Sequence, residues 1–234
     1  VKLIIISDLH ANLESLTSLP QDYDYLLCAG DLVDYGPDPK ECIAWVRRRA
    51  HVVVCGNHDR AVGYRIDCGC SYVMKELSLA TRQLVLNTLD VSEINYLREL
   101  PLERELTLGG CSFYLTHAVP GDLYRYLDAN VSDEELRELV AATSARVIIW
   151  GHTHKPWIRK LDDRLIVNPG SIGQPRDGNP QASYAVWEDG ELKIIRKNYN
   201  YQDTIHKINH LALEPRYKNQ LGNILKSGGS LNVS

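Results

Sequence analysis

Short apolar runs alternate with helical spacings through the first half of the chain, and paired apolar runs dominate the second. Lys2–Ile6, Tyr25–Ala29, His51–Cys55, Ser112–Thr116 and Arg146–Trp150 have the length and composition of buried strands. Asp38-Pro39-Lys40-Glu41 offers an N-cap, a proline at the first helical position and a capping-box glutamate, which predicts a helix ending near Arg49. Ser132-Asp133-Glu134-Glu135 predicts another, with Leu136, Leu139 and Val140 inward. Val73–Leu89 is helical by its apolar spacing, and Ser92–Leu100 is a shorter helix stopped by Pro101. Gly109-Gly110, Asp162-Asp163 and Asp189-Gly190 predict hairpin turns. The expected fold is therefore α/β: a mixed sheet packed on a second sheet, with helices outside. Residues 1–200 read as one domain without repeats or linkers, and 201–234 as an extension. In that extension Tyr201–Lys226 has helical character, and the Gly/Ser-rich Ser227–Ser234 is expected to fray.

Each of the five strand-like runs ends in a polar cluster: Ser7-Asp8-Leu9-His10, Gly30-Asp31-Leu32-Val33-Asp34, Gly56-Asn57-His58-Asp59, His117, and Gly151-His152-Thr153-His154. In open α/β sheets ligands bind outside the carboxyl ends of the strands, so these side chains should meet in one crevice. Carboxylates, an amide and imidazoles gathered without a basic partner stay unsatisfied unless a cation sits among them. Each motif alone has an ordinary explanation in turn or capping chemistry. All five in order do not.

Composition narrows the rest. A length of 234 residues can bury a sizeable core, and a formal charge of −4 gives no footprint for extended nucleic acid. Arg47-Arg48-Arg49, the one tight basic run, falls where cations complement a helix C-terminus. Six cysteines without a CxxC pair, and no signal or transmembrane pattern before the first strand, point to a cytoplasmic protein without a membrane partner. Cys28 and Cys55 are expected as reduced core residues, and Cys68-Gly69-Cys70 is not expected to carry a metal or redox role.

A two-metal hydrolase needs a bridging carboxylate, terminal N and O ligands, and ions about 3.5–4 Å apart. Asp31 is the natural bridge; Asp8, His10 and one histidine of His152-Thr153-His154 could hold one ion. Asn57, His117 and the other histidine could hold the second. Water held between the ions would lose a proton near neutral pH and serve as nucleophile. His58 is then free to donate a proton to a leaving oxygen, with Asp34 as its orienting partner.

Together these motifs resemble the signature set of the calcineurin-like metallophosphoesterases over roughly residues 1–200, and Asn168–Arg176 resembles the small prokaryotic phosphodiesterase-like branch. The resemblance implies a four-layer α/β/β/α sandwich with two mixed sheets and a dinuclear centre of Mn, Fe, Zn or Ni ions. It implies that Asp8, His10, Asp31 and His154 hold one ion and Asp31, Asn57, His117 and His152 the other. His58 would be the catalytic histidine with Asp34 beside it. The phosphatase branch carries arginines where Tyr35 and Cys55 stand here, removing a bidentate phosphate clamp and favouring a monoanionic diester. Arg176 and Gln174 could serve as phosphate contacts if their loop reaches the site, and Tyr35 as another. Ala11, in place of the usual glycine, is expected to matter little.

The activity so implied is hydrolysis of small or nucleotide-like phosphodiesters. Alternatives are a phosphatase for phosphomonoesters or dinucleoside polyphosphates, and a non-catalytic protein-binding scaffold of the same fold. Tyr64, Tyr72, Tyr124 and Tyr126 lie on loops after the motifs, where they could face a nucleobase but more often pack loop edges. A homo-oligomer is left open.

Overall fold

A computed structural model describes residues 1–229. All five predicted runs are strands: β1 (Lys2–Ile6), β2 (Tyr25–Cys28), β3 (Val52–Val53), β5 (Cys111–Thr116) and β6 (Val147–Ile149). The three predicted hairpins join β4 (Glu103–Leu108) to β5, β7 (Trp157–Leu161) to β8 (Arg164–Asn168), and β9 (Ala182–Glu188) to β10 (Glu191–Lys197). Two five-stranded sheets result, ordered β10-β9-β1-β2-β3 and β4-β5-β6-β8-β7. Both are mixed, since β1 runs parallel to β2 but antiparallel to β9, and β6 runs parallel to β5 and β8, which are antiparallel to β4 and β7.

Period-two alternation builds the layers. Leu3 and Ile5 of β1 meet Phe113, Leu115, Val147 and Ile149 between the sheets. Ile4 and Ile6 point the other way, onto Leu16 of α1 (Leu13–Thr17) and Ile43 and Val46 of α2 (Pro39–Arg49). Val62 of α3 (Asn57–Tyr64), Val85 of α4 (Tyr72–Thr88) and Leu97 of α5 (Val91–Glu99) complete that outer layer. On the far side, Tyr114, Ile148 and Trp150 lie against Leu136 of α6 (Asp133–Leu139) and Val140. The order is helix, sheet, sheet, helix: the expected four-layer sandwich.

Residues after 200 form α7 (Tyr201–His210) and α8 (Pro215–Ser227). Ile208, Tyr217, Leu221, Ile224 and Leu225 pack with Met74, Leu77 and Tyr35, so the C-terminal helices wall off one side of the β2 loop. Of the segment expected to fray, residues 230–234 lie outside the described residues.

One local signal gave way to a distant one. The α2 helix starts at Pro39 as expected, but the Asp38 side chain makes no cap bond. Its carboxylate accepts from Lys207 Nζ of α7 at 2.9 Å instead, a charge-assisted bond that outcompetes a backbone N–H. Ser132 does cap α6, accepting from the Glu135 N–H at 3.2 Å.

Packing this close should make the C-terminal helices unfold with the sandwich. Leu221→Ala is expected to lower stability by about 2–5 kcal/mol within a single urea transition followed by circular dichroism. Two separate transitions would show that the helices unfold independently.

Candidate metal centre

The carboxyl ends of β1, β2, β3, β5 and β6 deliver Asp8, His10, Asp31, Asp34, Asn57, His58, His117, His152 and His154 to one crevice, and every one of them is buried. The backbone is bent to do it. Asp8, His10, Ala11, Asp31, Asp34, Tyr35, His152 and His154 have φ between 45° and 69°, eight of the eleven non-glycine positive-φ residues among those described. A left-handed L-residue costs roughly 1–2 kcal/mol, so strain is concentrated here. Ala11, at φ 50°, is among the strained residues, which corrects the expectation that replacing glycine there matters little. Space is also made by omission: a Cβ on Gly56 would lie 2.0 Å from Asp31 Oδ1, and one on Gly151 2.6 Å from Asp8 Oδ2.

Acceptors face acceptors in this crevice. The Nδ1–H of His10 donates to the Val33 carbonyl at 2.9 Å, and that of His154 to the Gln174 carbonyl at 2.6 Å. Their Nε2 atoms therefore carry lone pairs in the neutral rings, yet lie 3.1 Å apart. Asp8 Oδ1 is 3.3 Å from His154 Nε2, buried and without any hydrogen-bond partner. A second group repeats the arrangement. His117 donates from Nδ1 to the Ala29 carbonyl at 2.7 Å, and Asn57 donates from Nδ2 to the Cys68 carbonyl at 2.7 Å. Those bonds turn His117 Nε2 and Asn57 Oδ1 to face each other at 3.0 Å. His152 donates from Nε2 to the Tyr124 carbonyl at 3.3 Å, leaving Nδ1 3.2 Å from His117 Nε2. Asp8, His10 and His154 form one group that could hold a metal ion; Asp31, His117 and His152 form another. Buried lone pairs pointed at one another fit a cation, and each imidazole is oriented by a carbonyl behind it, as metal-binding histidines usually are.

Electrostatics agree. Burial pushes the Asp8 carboxyl up to about 6, with Asp31 adding to the rise and His117 opposing it. Burial also drives His10 and His154 well below the ordinary histidine range, so both stay neutral. Burial opposes a charge on His117 as well, but Asp31 and Asp8 outweigh it and lift the ring to about 9. A proton there partly does what a cation would.

His58 stands beside these groups. Its Nδ1–H donates to Asp34 Oδ2 at 2.7 Å, and burial is outweighed by Asp31 and Asp34, which raise its pKa. Arg82 of α4 was missed by sequence reasoning: its Nη2 and Nε reach Asp34 Oδ2 at 2.6 and 3.1 Å, and Nη2 also donates to Ser78 Oγ at 2.8 Å. The signal was Met74, Ser78 and Arg82 at i, i+4, i+8, a buried stripe of α4 with two polar members. Asp59, the last residue of the Gly56-Asn57-His58-Asp59 motif, is structural: its carboxylate accepts from the N–H groups of Gly56, Asp31 and Leu32 at 2.9, 2.8 and 2.8 Å. It ties the β2 loop to the start of α3.

The 168–176 segment does reach the site. Gln174 is buried and its Oε1 accepts from Arg176 Nη2 at 2.6 Å; the Arg176 guanidinium lies 5.4 Å from the Tyr35 ring centroid. Tyr35 is 1% exposed, edge-on to His10 at 4.8 Å, and its hydroxyl has no partner. Of the loop tyrosines, Tyr126 lies tilted against His152 with ring centroids 4.1 Å apart, whereas Tyr64 is held between Arg60 and Arg98 and Tyr72 is almost fully exposed. Beside Tyr124 opens a cavity of about 700 Å³ lined also by Arg60, Glu103, Thr116 and Asp122.

A two-sheet sandwich gathers carboxylates and imidazoles at its strand ends, a donor set that could hold metal ions. Residues 1–190 match the model of the calcineurin-like phosphoesterase superfamily domain, and the chain belongs to that superfamily. A metallophosphoesterase from Sphaerobacter thermophilus is 27% identical and superposes with a TM-score of 0.80, covering 97% of this chain and 100% of that one. The uncharacterized protein MJ0912 of Methanocaldococcus jannaschii is 29% identical over 87% of this chain and 90% of its own length. Phosphodiesterase YfcE of Escherichia coli K12 is 37% identical over 60 residues, 26% of this chain and 32% of that protein. Among the described residues no helix is long and apolar enough to cross a membrane.

Metal uptake should displace the proton on His117. Because that ring's pKa is raised to about 9 in the metal-free protein, binding at neutral pH is expected to release a proton and to tighten as pH rises toward that value. Titration calorimetry in buffers of different ionisation enthalpy reads the proton directly; binding independent of pH between 6 and about 9 would contradict the assignment.

Proposed function

We propose that the chain is a dinuclear metal-dependent phosphoesterase acting on small or nucleotide-like phosphodiesters. The observation carrying this is Asp31 Oδ2, which lies 3.7 Å from His10 Nε2 and 3.3 Å from His117 Nε2 and so borders both acceptor groups. Asp8, His10, Asp31 and His154 would hold one ion, and Asp31, Asn57, His117 and His152 the other. The mixed N and O donor set suits Mn, Fe, Zn or Ni. When bound, the ions supply Lewis acidity toward phosphoryl oxygens and an activated water.

The protein's own groups do the rest. His58, whose pKa Asp31 and Asp34 raise against the pull of burial, donates from its free ring nitrogen to the leaving oxygen. Asp34 fixes the ring by accepting from Nδ1, and Arg82 fixes Asp34 with two N–H donors on the same oxygen. Tyr35 and buried Cys55 stand where a paired guanidinium clamp would be, and Arg176 is the cation whose charge reaches Asp8, His10 and His154. One guanidinium suits a phosphoryl group with one negative charge, hence a diester. The name of the partly similar YfcE supports the diester.

Chelated protein reloaded with Mn²⁺ is expected to hydrolyse bis-p-nitrophenyl phosphate well ahead of p-nitrophenyl phosphate. Preference for the monoester, or faster turnover of a dinucleoside polyphosphate than of any diester, would overturn the substrate class. His58→Ala should keep its metal but lose about 10²–10⁴-fold in kcat on alkyl diesters, and less where nitrophenolate leaves unaided. Loss of metal from that variant, read by elemental analysis, would move His58 out of its proton-donating role.

A further inference from the structure

Cys68-Gly69-Cys70, given no role by the sequence pattern, sits against the catalytic side of the crevice. Gly69, at φ 65°, turns the chain so that the two sulfurs face each other at 2.7 Å. A ring nitrogen of His58 completes a group whose three donor atoms all lie within 4.8 Å of one another. The tripeptide is fixed on three sides. Its Cys68 carbonyl holds the Asn57 amide at 2.7 Å, and Cys68 Sγ lies 3.5 Å from Ser78 Oγ. Gly69 backs onto the Tyr124 ring, where a Cβ would come within 2.6 Å. Cys68 is buried while Cys70 is partly exposed, which leaves a path from solvent.

Two thiols and an imidazole are a softer donor set than the carboxylates and imidazoles of the main centre. Thiolates select Zn²⁺ and its heavier relatives over ions that prefer oxygen, and two sulfurs with one nitrogen leave a tetrahedral ion one position for water. We propose that His58, Cys68 and Cys70 form a separate site for one thiophilic cation, Zn²⁺ or Cd²⁺, whose binding takes His58 out of proton donation. The balance is simple: two thiol protons and the proton on the ligating His58 nitrogen pass to solvent, two S–metal bonds and one N–metal bond form, and nothing is oxidised. The site is independent of the phosphodiesterase reading; only the inhibition rests on it.

The test uses reduced full-length protein kept in excess Mn²⁺ and titrated with CdCl₂. Expected is a thiolate-to-cadmium charge-transfer absorption in the ultraviolet that saturates at one Cd²⁺ per chain. Turnover of an alkyl diester should fall in parallel by about a hundredfold or more, the share a general acid supplies. In Cys70→Ser the absorption should vanish, and that variant's own rate should no longer respond to Cd²⁺. Absence of the absorption at saturating Cd²⁺ overturns the site. So does its persistence in Cys70→Ser, or a free-thiol titration finding two fewer than the six cysteines, which would make the pair a disulfide. Absorption without inhibition of an active protein refutes the link to His58. Absorption in a protein inert toward all phosphoesters upholds the site and removes the activity instead.

Discussion

Every part of the crevice is tied to Asp31. Its N–H is held by Asp59, its Oδ1 accepts the His58 N–H at 2.9 Å, and its Oδ2 is shared between the two groups of imidazoles. Burial alone would favour the protonated acid, but His117, His58 and His10 reverse that and hold the carboxyl well below its usual range. The residue is thus an anion at any physiological pH, buried beside lone pairs. The rings around it are locked by carbonyls and cannot turn away to relieve the crowding.

Such an arrangement opposes folding, and the sandwich offsets it. Strained backbone, buried carboxylates and facing lone pairs lie along the strand ends, while the apolar layers between and outside the sheets lie along the strand bodies. The division is positional: a strand that is hydrophobic through Ile6 or Ile149 becomes polar and left-handed within two or three residues. Rigidity of the sheets is what lets the loops keep a conformation they would not hold alone.

Much of this was legible in the sequence because it is local. Alternation marks the strands, and each polar cluster follows immediately, so Asp8, Asp31, Asn57, His117 and the His152–His154 pair could be read in order. The supporting residues were harder to see because their partners are remote. Arg82 meets Asp34 across 48 residues: the spacing of Met74, Ser78 and Arg82 can turn it inward, but names no partner. Asp38 carries every mark of a helix cap yet turns to Lys207, 169 positions away. The Ala11 substitution looked harmless because side-chain size is visible in a sequence, whereas the sign of φ is not.

The wall behind Tyr35 is built from Ile208, Leu221, Ile224 and Leu225, all downstream of His154. On a ribosome the chain emerges from its N-terminal end, so Asp8 through His154 are synthesised before this wall. The side of the crevice that the C-terminal helices close is therefore the last to be made, and the strained strand-end loops wait on the tail of the chain for part of their support.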